Sequence, residues 1–104
     1  MILPHVKLLC GFWEKSVGLI GADPVYPVFF TTRWGIHTFG MKAAIDVVIL
    51  DTENRAVKLT RNLPPNRLLF WNPWFSRVLE LPAGSIKKYK IIFGEKIIFA
   101  KMSR

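Results

Sequence analysis

The chain has 104 residues, of which 51% are hydrophobic and 21% are charged, and 15 Lys and Arg stand against 7 Asp and Glu. We expect a single small domain over residues 1–104, and this apolar, aromatic-rich composition excludes a disordered segment. The formal net charge of +8 attracts polyanions and anionic surfaces whether or not binding them is the protein's role.

Several classes of protein are excluded by what the sequence lacks. Asp46 interrupts the longest apolar run, residues 43–50, so no transmembrane helix is predicted. The N-terminus has neither the basic start nor the apolar stretch of a signal peptide, and we therefore expect a cytoplasmic protein. The single cysteine, Cys10, excludes a disulfide framework and is expected to be a buried free thiol. No residue pattern indicates a metal site or a cofactor.

The first half of the chain predicts one helix and two strands. Apolar residues recur at helical spacing over residues 12–20, and Gly21 ends the predicted helix. Residues 25–30 predict a strand, within which Pro27 indicates a sheet edge or a strand start. Residues 43–50 predict a central strand, because apolar residues at both odd and even positions require both faces of the strand to be covered.

The second half predicts further short strands. Residues 51–54 form a turn that joins the central strand to a strand over residues 55–61. After an irregular proline-containing crossing, the expected segments are an extended stretch at 67–71, a strand at 78–81, a helical turn capped by Ser85, and apolar-rich stretches at 90–93 and 96–101. The sequence thus predicts a β-dominated α+β domain with one short N-terminal helix and a curled, largely antiparallel sheet or partial barrel.

Five motifs occur in the order and spacing of a known family. They are FWE at 12–14, IHTFGM at 36–41, IDVVILD at 45–51, LELPAG at 79–84 and GEKI at 94–97. Over about residues 11–99 the chain resembles the small-domain family catalogued as domain of unknown function 192. The resemblance implies a compact β-rich fold and no established activity, cofactor or catalytic residue. The chain departs from the family pattern at Ala44, where members usually have proline, and at Glu95, where they often have aspartate.

Asp46 is the first candidate for a polar site. An ionised carboxylate inside a buried strand costs several kcal/mol unless partners satisfy it. The expected partners are Arg33, His37 and Arg61, or the backbone N–H groups of residues 35–40. Two interpretations stay open: a structural hydrogen-bond hub that holds this loop, or a binding or acid/base site.

His37 and Glu80 are the next candidates. His37 lies between Gly35 and Gly40, an arrangement found both in functional loops and around packed histidines. A catalytic histidine would need a partner within hydrogen-bond distance. Glu80 either points to solvent from its strand or joins a polar network with Asp46 or His37.

Two surface features complete the candidates. Trp71, Trp74 and Phe75 surround a predicted turn and form either an exposed platform for a base or peptide or a plug for the open end of the barrel. The second feature is a basic patch of four lysines, which is either a phosphate-binding surface or a solvated face. These lysines are Lys87, Lys88, Lys90 and Lys96.

Three functional hypotheses follow, and the absence of catalytic motifs weighs against an enzyme. The first is a non-catalytic binding or accessory domain that recognises a protein or small ligand near the His37 loop. The second is single-stranded nucleic-acid binding, for which net charge and aromatic residues are the support. The third is a small enzyme that uses His37 and Asp46 with Glu80.

Overall fold

In a computed structural model of the chain, the described residues are 1–8 and 27–103, and they form ten strands and one short helix. The helix, α1, spans Ser85–Lys88. The strands are β1 (Ile2–Leu3), β2 (Val6–Leu8), β3 (Val28–Thr31), β4 (Gly35–His37), β5 (Ile45–Leu50), β6 (Ala56–Leu63), β7 (Leu68–Phe70), β8 (Arg77–Pro82), β9 (Ile98–Phe99) and β10 (Met102–Ser103).

Six strands form the main sheet in the order β10-β2-β3-β8-β5-β6. β10, β2 and β3 pair in parallel, and the pairs from β3 through β8 and β5 to β6 are antiparallel. β1 and β9 form a small parallel sheet, while β4 and β7 form an antiparallel two-stranded ribbon. The predicted β-dominated domain is therefore confirmed, with an open main sheet, and its curl or partial barrel stays a prediction.

β5 is an interior strand of the sheet that is covered on both faces, as its composition predicts. All six of its residues are buried, and it lies between β8 and β6. Ile45, Val47 and Ile49 face one core, whereas Val48 and Leu50 face the other. The strand is apolar at both odd and even positions because each face of the sheet is covered.

Each face of the sheet packs against different elements. On the helix side, α1 and the segments around β1 and β9 enclose the helix-side core, whose buried members are Leu3, Val6, Phe29, Val48, Leu50, Ala56, Leu79, Leu81, Ile86, Ile91 and Ile97. On the other side, the β4–β7 ribbon covers the ribbon-side core, whose buried members are Val28, Phe30, Met41, Ile45, Val47, Ile49, Leu63, Trp71 and Val78. Ile36 and Leu69, which are paired across the ribbon, pack onto the ribbon-side core.

The structure corrects the predictions for the last part of the chain. Residues 90–93 form no strand, because the N–H of Ile91 donates to the Ile86 carbonyl at 2.9 Å and closes the end of α1 instead. In the predicted stretch 96–101, only Ile98–Phe99 is a strand. Gly84, not Ser85, is the N-cap residue of α1, because Ser85 is already the first residue of the helix. The Ser85 hydroxyl donates to the Pro82 carbonyl at 2.5 Å and caps no helix N–H. The predicted helix at 12–20 and Cys10 lie outside the described residues.

Replacing Leu79 by alanine should lower the free energy of unfolding by about 2–5 kcal/mol, because its fully buried side chain fills the helix-side core from a central strand. Leu68→Ala is the matched control, since Leu68 is 56% exposed and its loss should change stability by no more than about 0.5 kcal/mol. Urea denaturation measures both values. Equal losses in the two variants would contradict the assignment of the core.

Candidate functional site

Asp46 lies opposite a bulge in β6. Ile45 pairs with Leu63 and Val47 pairs with Thr60, so two residues, Arg61 and Asn62, stand against the single residue Asp46. Such a bulge removes main-chain groups from the strand ladder. The Asn62 N–H donates to Asp46 Oδ1 at 3.0 Å, and Asn62 has a left-handed φ of 52°. The carboxylate therefore accepts a main-chain N–H group that the bulge has removed from the strand pairing.

The other carboxylate oxygen of Asp46 holds the helix. The Ile86 N–H in α1 donates to Asp46 Oδ2 at 2.8 Å, and Asp46 is only 1% exposed. The side chain thus joins β5 to both β6 and α1. This geometry agrees with a structural hub. The predicted partners are wrong, because these bonds come from the N–H groups of Asn62 and Ile86 and not from any of the expected groups, which were Arg33, His37, Arg61 and the N–H groups of the loop at 35–40.

Glu80 is buried on the other face of the sheet. It pairs with Val47 of β5 and with Val28 of β3, both of which belong to the ribbon-side core. It therefore neither points to solvent nor shares a network with Asp46, which lies on the helix side. No hydrogen bond or ion pair connects its carboxylate to another side chain or main-chain group in residues 1–8 and 27–103. Burial raises the pKa of Glu80 from 4.5 to about 7.

Thr38 anchors the loop at 35–40 by hydrogen bonds to residues 64–67, a role that the sequence did not predict. The fully buried Thr38 hydroxyl donates to the Pro64 carbonyl at 2.6 Å and accepts from the Arg67 N–H at 2.9 Å. His37 ends β4 and is exposed. Its ring stacks on Phe39 with 5.1 Å between centroids, and its Nδ1 accepts the Phe39 N–H at 3.3 Å. No hydropathy period marks Thr38, because its partners are main-chain groups of a distant segment.

The structure does not bring His37 and Asp46 together. His37 lies on the ribbon, which packs against the ribbon-side core, whereas the Asp46 carboxylate faces α1 across the sheet. Asp46 lines a cavity between α1 and β6, and His37 is not among the residues that line this cavity. The two side chains therefore cannot act as one acid/base pair in this arrangement. Within the described ranges, no group of three His, Cys, Asp or Glu residues is placed to hold a metal ion.

The outer face of the ribbon is apolar and exposed. Strand pairing sets Gly35 beside Phe70 and His37 beside Leu68, on the side away from the core. Leu68 is 56% and Phe70 64% exposed. A Cβ atom on Gly35 would lie 2.8 Å from Phe70 Cδ1, so the glycine lets this ring approach the neighbouring strand. We call His37, Phe39, Leu68 and Phe70 the ribbon face. Two further exposed residues, Arg33 and Trp34, directly precede β4.

The predicted aromatic cluster is divided by its turn. Trp71 is buried in the ribbon-side core, where its Nε1–H donates to the Phe75 carbonyl at 2.8 Å. Phe75 is half-buried against the same core. Trp74 is 86% exposed, and its N–H donates to Asn72 Oδ1 at 3.0 Å within the turn. Trp71 and Phe75 therefore contribute to packing, and Trp74 alone of the three is presented to solvent.

The basic patch is also divided. Lys87 and Lys90 meet Arg61 at the edge of a cavity of about 330 Å³ that lies between α1 and β6. Lys88 instead lies over the ring of Tyr89, with its Nζ 5.4 Å from the centroid, and the Lys96 carbonyl accepts a bond from the N-terminal amine of Met1. We call the cavity the α1 groove; its lining consists of Asp46, Arg61, Asn62, Gly84, Ile86, Lys87, Lys90, Ile91 and Ile92.

Comparison with known families gives a match over most of the chain. The sequence profile of DUF192, described as "Uncharacterized ACR", matches residues 6–99. The chain belongs to the DUF192 family. Two curated relatives of this DUF192 chain come from archaea of the genus Pyrococcus. UPF0127 protein PH1112 of Pyrococcus horikoshii is 33% identical over 89% of this chain and 85% of its own length. UPF0127 protein PYRAB11210 of Pyrococcus abyssi is 31% identical over 88% and 83%.

Two crystal structures have similar folds. One is a proposed transcription regulator from Sinorhizobium meliloti, with a TM-score of 0.78, 18% identity, and coverage of 88% of this chain and 78% of that one. The other is a protein of unknown function from Novosphingobium aromaticivorans, with a TM-score of 0.77, 17% identity, and coverage of 88% and 71%. At these identities the likeness concerns the fold alone. In the part of the DUF192 chain that the structure describes, no helix has the length and apolar character needed to cross a bilayer.

Asp46→Asn should lower the free energy of unfolding by about 2 kcal/mol, because an amide offers one acceptor oxygen where the two oxygens of Asp46 now accept separate N–H groups. Asp51→Asn is the matched control. Both bonds to Asp51 reach the single oxygen Oδ1, from the N–H groups of Glu53 and Arg55, so asparagine can keep them. Chemical denaturation should show a loss at Asp46 clearly larger than at Asp51, and equal losses would contradict the hub.

Glu80→Gln should make the protein more stable at alkaline pH. The folded state holds the Glu80 proton up to a pKa of about 7, so wild-type stability falls as the pH rises from 4.5 through 7. Above pH 7 the variant should exceed the wild type by up to about 3 kcal/mol, and below pH 4.5 the two should agree.

Glu53→Gln is the control for this pH dependence, since the Glu53 side chain is 71% exposed and pairs only loosely with Arg55 at 3.5 Å. Denaturation curves between pH 4 and 9 measure all three proteins. A stability difference between Glu80→Gln and the wild type that stays constant from pH 4.5 to 7 would refute the burial effect at Glu80.

Proposed function

We propose that this DUF192 domain is a non-catalytic binding module that captures an extended protein segment on the ribbon face. The proposal is carried by one observation: a two-stranded ribbon turns Leu68 and Phe70 outward while Ile36 and Leu69 on its other side pack onto the core. Exposed apolar side chains that are contiguous on a rigid support mark interaction sites. Asp46 lies across the sheet from both His37 and Glu80, which argues against the enzyme hypothesis.

The ribbon suits an extended peptide. Among the described residues, β4 and β7 pair only with each other, so each has one edge where a further strand could add. A peptide strand added there would place alternate side chains beside the ribbon face. Arg33 and Arg67 are exposed close to the two strands and would favour acidic residues at the flanks of the bound segment.

Nucleic acid is the second candidate, supported by the net charge of +8. This candidate has weaker support, because the lysines that share a cavity with Arg61 lie on the helix side, away from the ribbon face. Strands of nucleic acid bind where cationic and stacking groups form one surface. The Sinorhizobium meliloti neighbour is named as a proposed transcription regulator, but its likeness to this chain is one of fold.

The test begins with selection of random peptides on the purified protein. Selected peptides should be apolar at alternate positions with acidic flanks, and Phe70→Ser should weaken their binding at least about tenfold in calorimetric titrations, because buried aromatic anchors dominate such interfaces. Phe93→Ser is the control: Phe93 is 73% exposed but lies outside the ribbon, so binding should be unchanged. Both substitutions should leave the melting temperature close to that of the wild type.

Three results would contradict this proposal. The first is equal peptide binding by the Phe70 and Phe93 variants. The second is low-salt binding of an oligothymidine strand that Phe70→Ser abolishes, which would make the ribbon face a nucleic-acid surface. The third is a wild-type dimer in light scattering that becomes monomeric in Phe70→Ser, since the occupant would then be a second copy of the chain.

A further inference from the structure

The α1 groove combines cationic side chains with an apolar wall. Arg61 comes from the bulge in β6, and Lys87 and Lys90 come from α1 and the residues that follow it. Ile86, Ile91 and Ile92 provide apolar lining. The cavity of about 330 Å³ is at the lower end of the size range of small-ligand pockets.

The cations of the groove are not neutralised by neighbouring carboxylates. Within residues 1–8 and 27–103, the single ion pair joins Arg55 to Glu53, and none involves Arg61, Lys87 or Lys90. The one carboxylate in the groove lining is Asp46, and its two oxygens already accept the N–H groups of Asn62 and Ile86. The three cationic side chains and the Asp46 carboxylate together give the groove lining a net charge of +2.

Lys90 has a backbone conformation that residues other than glycine rarely adopt. Lys90 follows the C-cap residue Tyr89 and has a left-handed φ of 54°, at a position that is most often glycine. Its N–H donates to the Lys87 carbonyl at 3.2 Å, which closes the turn. Lysine at such a position costs backbone stability, and strain of this kind tends to persist where a side chain has a function.

We propose that the α1 groove binds a small organic anion with an apolar body. Its phosphate or carboxylate group contacts Arg61, Lys87 and Lys90, since guanidinium and ammonium groups form charge-assisted hydrogen bonds with such oxygens. The apolar body lies on the isoleucines. Asp46 acts as a positioning residue, because it fixes the bulge next to Arg61 and the helix residue next to Lys87. This site lies across the sheet from the ribbon face and does not depend on the function proposed there.

Three probes test the site in calorimetric titrations: 2-naphthyl phosphate, its neutral analogue 2-naphthol, and inorganic phosphate. The naphthyl phosphate should bind with a sub-millimolar dissociation constant, at least about tenfold more tightly than either of the others, because it alone has both the charge and the apolar body. Its affinity should fall as salt is added. In NMR titrations, the amide signals of Asn62 and Ile86 should shift, because they line the groove beside Asp46.

Three substitutions separate the groove from general charge. Lys90→Gly should raise the dissociation constant of 2-naphthyl phosphate about fivefold or more while the melting temperature stays equal or rises, since glycine relieves the left-handed backbone. Lys87→Gln should give a similar loss. Lys88→Gln, its neighbour on α1 but outside the groove lining, should change affinity less than about twofold.

Several results would overturn the proposal. They are equal losses from Lys87→Gln and Lys88→Gln, equal affinities for 2-naphthyl phosphate and either 2-naphthol or inorganic phosphate, or no saturation by 2-naphthyl phosphate up to about 5 mM. Because Phe70 lies outside the groove, Phe70→Ser serves as a variant that should bind the probe as the wild type does. A failure of peptide capture at the ribbon face is therefore distinguishable from a failure of this site.

Discussion

A buried carboxylate that accepts two main-chain N–H groups determines how the parts of this domain meet. Asp46 sits in β5, whose six residues are all buried, and an unsatisfied charge there would cost several kcal/mol. That cost is removed only when the bulge at Asn62 and the start of α1 at Ile86 are both in place. The same bonds bring Arg61 of β6 and Lys87 of α1 into the lining of one groove. The need to satisfy this one carboxylate thus determines how β5, β6 and α1 pack together.

The sheet around β5 is covered on both faces and separates the polar features of the molecule. Because its side chains alternate between two cores, Asp46 faces α1, while Glu80 of the neighbouring strand faces the ribbon side. His37 lies farther out, on the ribbon. A sheet covered on both faces keeps Asp46 apart from His37 and Glu80, which is why we propose two separate binding surfaces and no catalytic centre.

Much of the sheet follows from the sequence, and the reasons are local. The run of apolar residues at 45–50 identifies a strand covered on both faces. Pro27 directly precedes β3, which agrees with its interpretation as a strand start. The family resemblance is confirmed by the profile match over residues 6–99. The short strands β1, β2 and β10 give no alternation to recognise, and β4 lies in what the glycines suggest is a loop.

The partners of the polar residues could not be predicted, because they are main-chain groups whose positions depend on tertiary register. The bulge at Asn62 exists only once β5 and β6 pair with a shift beside Asp46. Thr38 acquires its role when residues 64–67 fold against it. The burial of Glu80 likewise depends on strands β3 and β5 on either side of β8. A sequence pattern can show that a polar residue stands in an apolar segment, but it does not show which groups that residue contacts.

The pairing of β1 with β9 and of β2 with β10 has a consequence for how the protein is made. Ile2 is aligned with Ile98, and Val6 with Met102, so contacts at this margin join residues more than ninety positions apart. Contacts of such long sequence separation form late and slow the search for the native state. During synthesis, β2 cannot pair with β10 until residues 102–103 have emerged from the ribosome. This pairing is therefore among the last to form, and until then one side of β2 is open to pairing with other nascent chains.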